Sequence, residues 1–171
     1  MKKNAIHPDP GYYHRYISPL PDVELKALLE RSLTDLLTLN TQQLEPLGNY
    51  AYAPGKWTVK NVLQHITDTE RVFTYRAMLF ARKDHQVPPT MDQDIYAANA
   101  PVDHRSVTEV LDELIAVRRA TLALFNSFTE EALLRTGISW KNEMSVLGLG
   151  FIIVGHQQHH LNIIREKYLS A

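Results

Sequence analysis

Apolar residues recur at steps of three and four positions along four long segments of this chain, and that period constrains its fold more than any other feature. An α-helix turns once every 3.6 residues, so the pattern places the apolar side chains on one face of a helix. Residues that cap or break helices bound each segment. The predicted helices run over Pro21 to Leu44, Thr58 to Arg82, Ser106 to about Phe125 and Ser145 to about Leu169.

The connections between these helices differ in length. Short links join the first helix to the second and the third to the fourth, with an extra turn expected at Thr129–Ala132 and a loop at Ile138–Glu143. About 20 residues from Lys83 to Val102 show no sustained period and contain three prolines, with a short turn expected at Asp94–Ala98. These features predict an all-α fold, an antiparallel four-helix bundle with a long crossover between helices 2 and 3. Such a connection either covers a functional site or only spans the bundle.

The length of 171 residues fits one domain over residues 1–171, in which residues 1–19 form an irregular N-terminal arm rich in proline. No apolar signal segment follows the N-terminus, so we expect a cytoplasmic protein. The longest apolar stretch, Val146 to Val154, is interrupted by two glycines and is shorter than the roughly 20 residues that a membrane span needs. We therefore expect a soluble protein without a membrane partner.

Charge and cysteine content narrow the possible functions. The 18 lysines and arginines are balanced by 19 acidic residues, giving a formal net charge of -1, and this argues against a nucleic-acid partner because such proteins concentrate positive charge. The chain has no cysteine, which excludes disulfides and thiolate metal ligands. Any metal site must therefore use imidazole, carboxylate and water.

The eight histidines are not equivalent. Four of them lie in the arm or in loops, where an exposed histidine is expected: His7, His14, His85 and His104. By contrast, His156 and His160 share the apolar face of the last helix with Leu149, Ile153 and Ile163. A pair at positions i and i+4 stacks two imidazoles on one side of a helix, the spacing with which one helix chelates a metal ion. The alternative for such a pair is two interior histidines that are hydrogen bonded.

A third ligand is available on the second predicted helix. His65 flanks the apolar face of that helix and can point inward, although a lone histidine there is more often a hydrogen-bonded core residue. Three imidazoles on inward faces of two helices favour a cation among them, because polar rings are costly to bury unpaired. His159 is rotated about 60° from His156. It can support a ligand or replace one, but a hydrogen-bonded interface histidine is favoured.

Two acidic residues near His65 have competing interpretations. Asp68 and Glu70 could orient a ligand or act as a general base. The alternative is a solvated helix face, and it is preferred for Glu70 because that residue points about 140° away from His65.

Two segments resemble a known family. Trp57-Thr58-Val59-Lys60 with Val62-Leu63-Gln64-His65-Ile66-Thr67-Asp68-Thr69-Glu70-Arg71 resembles the second-helix signature of DinB-like metal-binding bundles, including the YfiT branch, and Gly155-His156-Gln157-Gln158-His159-His160 is similar to their last-helix signature. Phe73, Tyr75-Arg76 and Asp92-Gln93-Asp94-Ile95-Tyr96 are also similar to this branch. The resemblance therefore covers roughly residues 50 to 170.

The resemblance implies a four-helix bundle, frequently a homodimer, with a three-histidine site for zinc, nickel or a similar divalent ion. The ligands that it implies are His65, His156 and His160, the three that spacing selects. Members of the family have been described as metal-dependent hydrolases, and relatives include thiol transferases that use bacillithiol and a mycothiol-dependent isomerase. The partner implied is a small-molecule substrate, including a low-molecular-weight thiol.

Three protein ligands leave a tetrahedral ion with an open position, which is typical of catalytic sites. The first hypothesis is therefore a metal-dependent enzyme, either a hydrolase that activates water or a transferase that activates a thiol. The second is a non-catalytic metal-binding or stress-associated dimeric bundle. The third is a metal-free interaction dimer with a cavity lined by histidine.

Overall fold

The structure is a computed structural model that describes residues 1–139 and 141–170. Three short 3-10 turns lie at Lys3–Ala5, Gly11–Tyr13 and Glu45–Leu47. The helices, in chain order, are α1 (His14–Ile17), α2 (Leu25–Leu37), α3 (Thr41–Leu44), α4 (Val59–Ala81), α5 (Gln93–Asn99), α6 (Val107–Asn126), α7 (Glu130–Leu134) and α8 (Val146–Lys167). Two strands, β1 (Thr136–Ser139) and β2 (Asn142–Ser145), precede the last helix.

The starts of the three longest helices agree with the predicted caps. The hydroxyl oxygens of Thr58, Ser106 and Ser145 each accept a backbone N–H from three residues ahead, at 3.1–3.2 Å. Glu109 completes the predicted capping box by accepting the backbone N–H of Ser106 at 2.7 Å. Capping of this kind is encoded within four residues, so these boundaries are readable from the sequence.

The first predicted helix is too long. Helix α2 ends at Leu37, and the side chain of Asn40 accepts the N–H of Gln43 at 3.2 Å to begin the separate α3. The leucine period continues across this break, since both pieces present leucines to the core. A prediction from periodicity alone therefore treats two helices as one.

The four long helices form a bundle in which α2 and α4 are diagonal, and α6 and α8 lie between them. Tyr168, just after α8, donates its hydroxyl to the carbonyl of Trp57, just before α4, at 2.6 Å, so these neighbours are antiparallel. Lys60 at the start of α4 donates to the carbonyl of Arg105, just before α6, at 2.8 Å. Helices α4 and α6 are therefore parallel, which requires the long crossover between them.

Helices α2 and α8 also run in the same direction. Gly150, near the start of α8, packs against the side chain of Leu25, the first residue of α2. The predicted bundle and its crossover between the second and third long helices are confirmed, with the chain directions in the order up, down, down, up. The expected turn within the crossover is α5, and the expected turn before the last helix is α7.

The predicted loop at Ile138–Glu143 is wrong, because most of it belongs to a hairpin. Strands β1 and β2 pair antiparallel, in a register that runs from Thr136↔Ser145 to Ser139↔Asn142. Trp140, which the predicted loop includes, lies outside the described residues. An isolated two-stranded hairpin is marginal in water. Here it packs on the bundle, with Gly137 against the ring of Phe80 and Met144 fully buried. Four-residue strands held by tertiary contacts carry too little periodicity to be recognised.

A buried polar layer divides the core into two apolar clusters, one toward each end of the bundle. Each long helix contributes one residue to this layer: Ser32, Glu70, Arg118 and Gln157. Arg118 donates to both carboxylate oxygens of Glu70 at 2.8 Å and also to the hydroxyl of Ser32. Gln157 donates to the Ser32 carbonyl at 2.9 Å.

The solvated position preferred for Glu70 is therefore wrong. The face of α4 that points away from His65 meets α6, which supplies Arg118 as a buried partner.

None of the helices within the described part of the chain is long and apolar enough to cross a membrane.

Candidate metal centre

Three imidazole rings from α4 and α8 meet at one point. His156 Nε2 lies 3.1 Å from His65 Nε2 and 3.1 Å from His160 Nε2. One nitrogen from each ring can be chosen so that all three lie within 4.8 Å of one another. The i, i+4 spacing on α8 brings the rings of His156 and His160 edge-on with centroids 4.5 Å apart, and the antiparallel α4 supplies the third ring.

The donor set fits a divalent cation better than it fits hydrogen bonding. His156 Nε2 carries either one proton or one lone pair, so it can satisfy only one of its two close nitrogen neighbours. Three lone pairs directed at a single cation satisfy all three nitrogens. Donors about 2.0–2.1 Å from a tetrahedral ion stand roughly 3.4 Å apart, close to the two 3.1 Å separations measured from His156 Nε2.

Burial keeps these rings neutral at physiological pH. It lowers the pKa of His65 to about 4 and, helped by the charges of neighbouring histidines, the pKa of His160 to about 3. Burial and the adjacent His160 and His65 rings hold the pKa of His156 well below its usual range. Neutral imidazole is the form that binds metals, so the lone pairs are available without first losing protons.

The cluster lies beside a cleft of about 530 Å³. His65 and His156 line it together with Thr69, and Phe73 and Tyr13 supply aromatic walls. Residues 90–93 of the crossover line the same cleft, so this long connection does more than span the bundle.

Comparison with known proteins agrees with the geometry. The sequence profile of the DinB superfamily matches residues 24–164. The chain belongs to the DinB superfamily. A solved structure with a similar fold is YfiT from Bacillus subtilis, described as a probable metal-dependent hydrolase with an unusual four-helix bundle topology. It has a TM-score of 0.69 and 17% identity, and the match covers 95% of this chain and 89% of that one. No curated protein matches this sequence.

Within this DinB bundle, neighbouring side chains hold two of the three clustered histidine rings in place. Thr69 Oγ1 lies 3.4 Å from His65 Nδ1, on the side of the ring away from the cluster. The Trp57 ring packs against His65 with centroids 4.7 Å apart, and the Tyr16 ring meets His156 edge-on at 5.3 Å. Such contacts fix ring orientation, which a chelating site requires.

The position of Tyr16 depends on a glycine in α8. A Cβ built on Gly155 would lie 2.0 Å from the carbonyl oxygen of Tyr16, so only glycine allows α1 to approach this closely. Gly155 precedes His156, and the N-terminal arm is therefore anchored directly at the candidate metal centre. The arm is less irregular than expected, because it contains two 3-10 turns as well as α1.

The remaining predicted site residues lie elsewhere. His159 is exposed and outside the three-nitrogen cluster, and its ring packs edge-on against Tyr16 at 5.5 Å. His159 was expected to be a hydrogen-bonded interface histidine, but it forms no hydrogen bond with any residue in 1–139 or 141–170. Asp68 accepts from Gln64 at 3.0 Å and from Arg71 at 3.4 Å, so it does not orient His65. The four histidines expected to be exposed are exposed: His7, His14, His85 and His104.

Sequence reasoning missed several residues that shape the site. Thr69 follows His65 by one helical turn, so its contact could have been inferred from spacing. Tyr16 and Trp57 come from the arm and from a turn, where no period indicates which way a side chain points. Their approach to the histidines depends on the packing of the whole bundle.

Proposed function

We propose that this protein is a metal-dependent enzyme that acts on a small molecule in the cleft beside His65, His156 and His160. The observation that carries the proposal is the meeting of three neutral imidazoles, two buried and one half-buried, at the side of that cleft. Three protein ligands leave a coordination position free, the arrangement typical of catalytic sites. His65 and His156 also line the cleft, so an ion that they hold would be accessible to a substrate bound there.

A divalent ion held there would act as a Lewis acid that lowers the pKa of a bound water or thiol toward neutrality. Zinc or nickel suits three neutral imidazoles, and metal availability decides between them. The chain itself presents the lone pairs and keeps them unprotonated by burial. The aromatic walls formed by Tyr13 and Phe73 limit the water around the reacting groups.

The cleft lining favours thiol transfer over hydrolysis. A hydrolase gains from a general base beside the attacking water. Within the described part of the chain, Asp92 is the only carboxylate that lines this cleft, and its Oδ1 already accepts the backbone N–H groups of Asp94 and Ile95 at 2.9 and 3.1 Å. A thiol starts from a pKa of about 8.5 and water from about 15.7, so the same ion would ionise a low-molecular-weight thiol more completely and without such a base. The thiol would lose its proton to solvent, and its sulfur would then bond to an electrophilic carbon whose leaving group departs with the electron pair.

Metal analysis of the purified protein tests the first part of this proposal. We expect one divalent ion per chain in the wild type and its loss in His65→Ala, His156→Ala and His160→Ala. His159→Ala is the matched control, because it removes an adjacent histidine that is outside the cluster. Absence of metal after gentle purification, or equal loss in the control, would contradict the proposed site.

Turnover measurements test the second part. The loaded protein would be assayed with a panel of esters and with a panel of thiols combined with electrophiles. We expect turnover with the thiol panel that disappears in His160→Ala. Bound metal without turnover in either panel would instead favour a non-catalytic metal-binding bundle. We also propose that the protein forms a homodimer, and sedimentation of the purified protein tests this.

A further inference from the structure

Arg76 is a buried cation in the same cleft as the histidine cluster. It follows His65 by eleven residues on α4, so it lies on the same face of the helix about three turns later. Only 4% of Arg76 is exposed. It lines the cleft together with His65, Thr69 and Phe73.

The guanidinium of Arg76 has no carboxylate partner within the part of the chain that the structure describes. One Nη donates to the carbonyl of Pro89 at 3.1 Å, and the guanidinium carbon stands 5.7 Å from the Phe73 ring centroid. Its Nε is buried and makes no hydrogen bond with any described residue. Elsewhere in this protein the buried arginine Arg118 is paired with Glu70 on two nitrogens. An unpaired buried charge is costly, so its retention calls for an anion that arrives with a ligand.

The charged residues that line the cleft are compatible with the binding of one such anion at Arg76. Within the described residues, Arg76 is the only lysine or arginine that lines the cleft. The cleft's carboxylate, Asp92, caps α5 and forms no ion pair with Arg76. Arg76 also borders a smaller cleft of about 350 Å³, where Asp68 already lies 3.4 Å from Arg71.

We propose that Arg76 binds a carboxylate of the substrate, and that the reacting end of the same molecule lies beside His65 and His156. The inference rests on the proposed function and names its substrate class, an elongated small molecule with a terminal carboxylate. A guanidinium presents a planar fork that matches a carboxylate with two hydrogen bonds. A single cation balances one negative charge, which suits a carboxylate better than a phosphate dianion.

The helix geometry sets the length of this substrate. Eleven residues at 1.5 Å each separate the Cα atoms of His65 and Arg76 by about 16 Å. Both side chains lean toward the N-terminus of α4, and the longer arginine reaches back further toward the cluster. The remaining span is roughly 10 Å, the length of a chain of about eight carbons. Val72 and Phe73 line the intervening stretch, so the middle of the molecule is apolar.

The first test uses the metal-free protein, and its result therefore does not depend on the proposed chemistry. Octanoate and 1-octanol are titrated into the wild type by calorimetry. We expect octanoate to bind at least 10-fold more tightly, and Arg76→Gln to remove this preference while 1-octanol binding is unchanged. Arg76→Lys keeps the charge without the fork and should retain a weaker preference. It also provides a second variant if Arg76→Gln fails to fold.

Arg15→Gln is the matched control. Arg15 is an exposed arginine that stacks over Tyr12 and Tyr16 beside the cleft but does not line it. We expect it to leave the preference for octanoate intact. If Arg15→Gln and Arg76→Gln reduce the preference for octanoate equally, the preference comes from a long-range electrostatic field and the proposal is overturned. Equal binding of octanoate and 1-octanol to the wild type would also overturn it. Tighter binding of octyl phosphate than of octanoate would overturn the assignment to a carboxylate.

The second test locates the anion relative to the histidines. In the zinc-loaded protein, 8-mercaptooctanoate is compared with 8-mercaptooctanol. If both ends of one molecule are held, the acid should bind at least 10-fold more tightly than the alcohol, and Arg76→Gln should remove that factor. No difference between these thiols would overturn the shared-substrate geometry. If neither thiol binds the loaded protein while octanoate binds the metal-free form through Arg76, the thiol chemistry fails and the carboxylate site stands.

Discussion

Replacing Arg118 with methionine should cost this bundle more stability than any exposed charge replacement. Arg118 has no exposed surface and Glu70 has 2%, and two parallel bonds of 2.8 Å join them. Arg118→Met leaves the Glu70 carboxylate buried without its partner. Breaking a buried pair from one side costs about 3–5 kcal/mol. For a chain of this size that corresponds to a fall in Tm of roughly 6–20 °C.

The same reasoning predicts that removing both charges is far less harmful. Glu70→Leu combined with Arg118→Met replaces the pair with apolar groups of similar volume. Such replacements are often neutral or stabilising, because neither charge then has to be removed from water. The double variant should therefore be at least about 2 kcal/mol more stable than Arg118→Met alone.

Urea unfolding of the wild type, both single variants and the double variant gives the interaction energy. Arg71→Met is a matched control one residue away from Glu70 on α4. Its ion pairs with Asp68 and Glu113 involve a side chain that is 49% exposed, so we expect a cost of about 0.2–1 kcal/mol. The reasoning fails if Arg118→Met costs no more than Arg71→Met, or if the double variant is as unstable as the sum of the singles.

Three further predictions concern the candidate metal centre. Gly155→Ala should destabilise the protein by about 1–3 kcal/mol by pushing the Tyr16 carbonyl away, and Gly148→Ala, whose nearest contacts are 3.2–3.3 Å, should cost less. In the metal-free protein, the pKa of His65 is about 4 in the folded state and 6.5 in the unfolded state. At pH values between 4 and 6.5, only the unfolded state therefore binds a proton at this ring. His65 alone should thus lower the unfolding free energy by about 2 kcal/mol from pH 7 to pH 5, and the lowered pKa values of His156 and His160 add to this fall. Equal pH slopes for wild type and His65→Gln would contradict the contribution of His65. Zinc at about 100 times its Kd should add about 2.7 kcal/mol, measured as a rise in Tm of roughly 5–11 °C that His160→Ala abolishes.

The site could be anticipated from local spacing, but its surroundings could not. The i, i+4 pair at His156 and His160 and the inward position of His65 are properties of single helices, and the structure brings these residues together. Glu70 was misplaced because its environment depends on Arg118, 48 residues away on another helix. A helical period gives the direction of a side chain but not what lies opposite it.

By itself, the sequence determined where α4, α6 and α8 begin, that a long crossover follows α4, and which three histidines point inward. Those features depend on interactions within a few residues, namely capping bonds and the 3.6-residue period. Tertiary structure alone decided the pairing of β1 with β2, the approach of Tyr16 to Gly155 and the burial of Arg76 with no carboxylate partner among the described residues. Each of these depends on contacts between groups far apart in the chain, and for the hairpin that contact is the packing of Gly137 against Phe80. Such contacts exist only once the helices have packed.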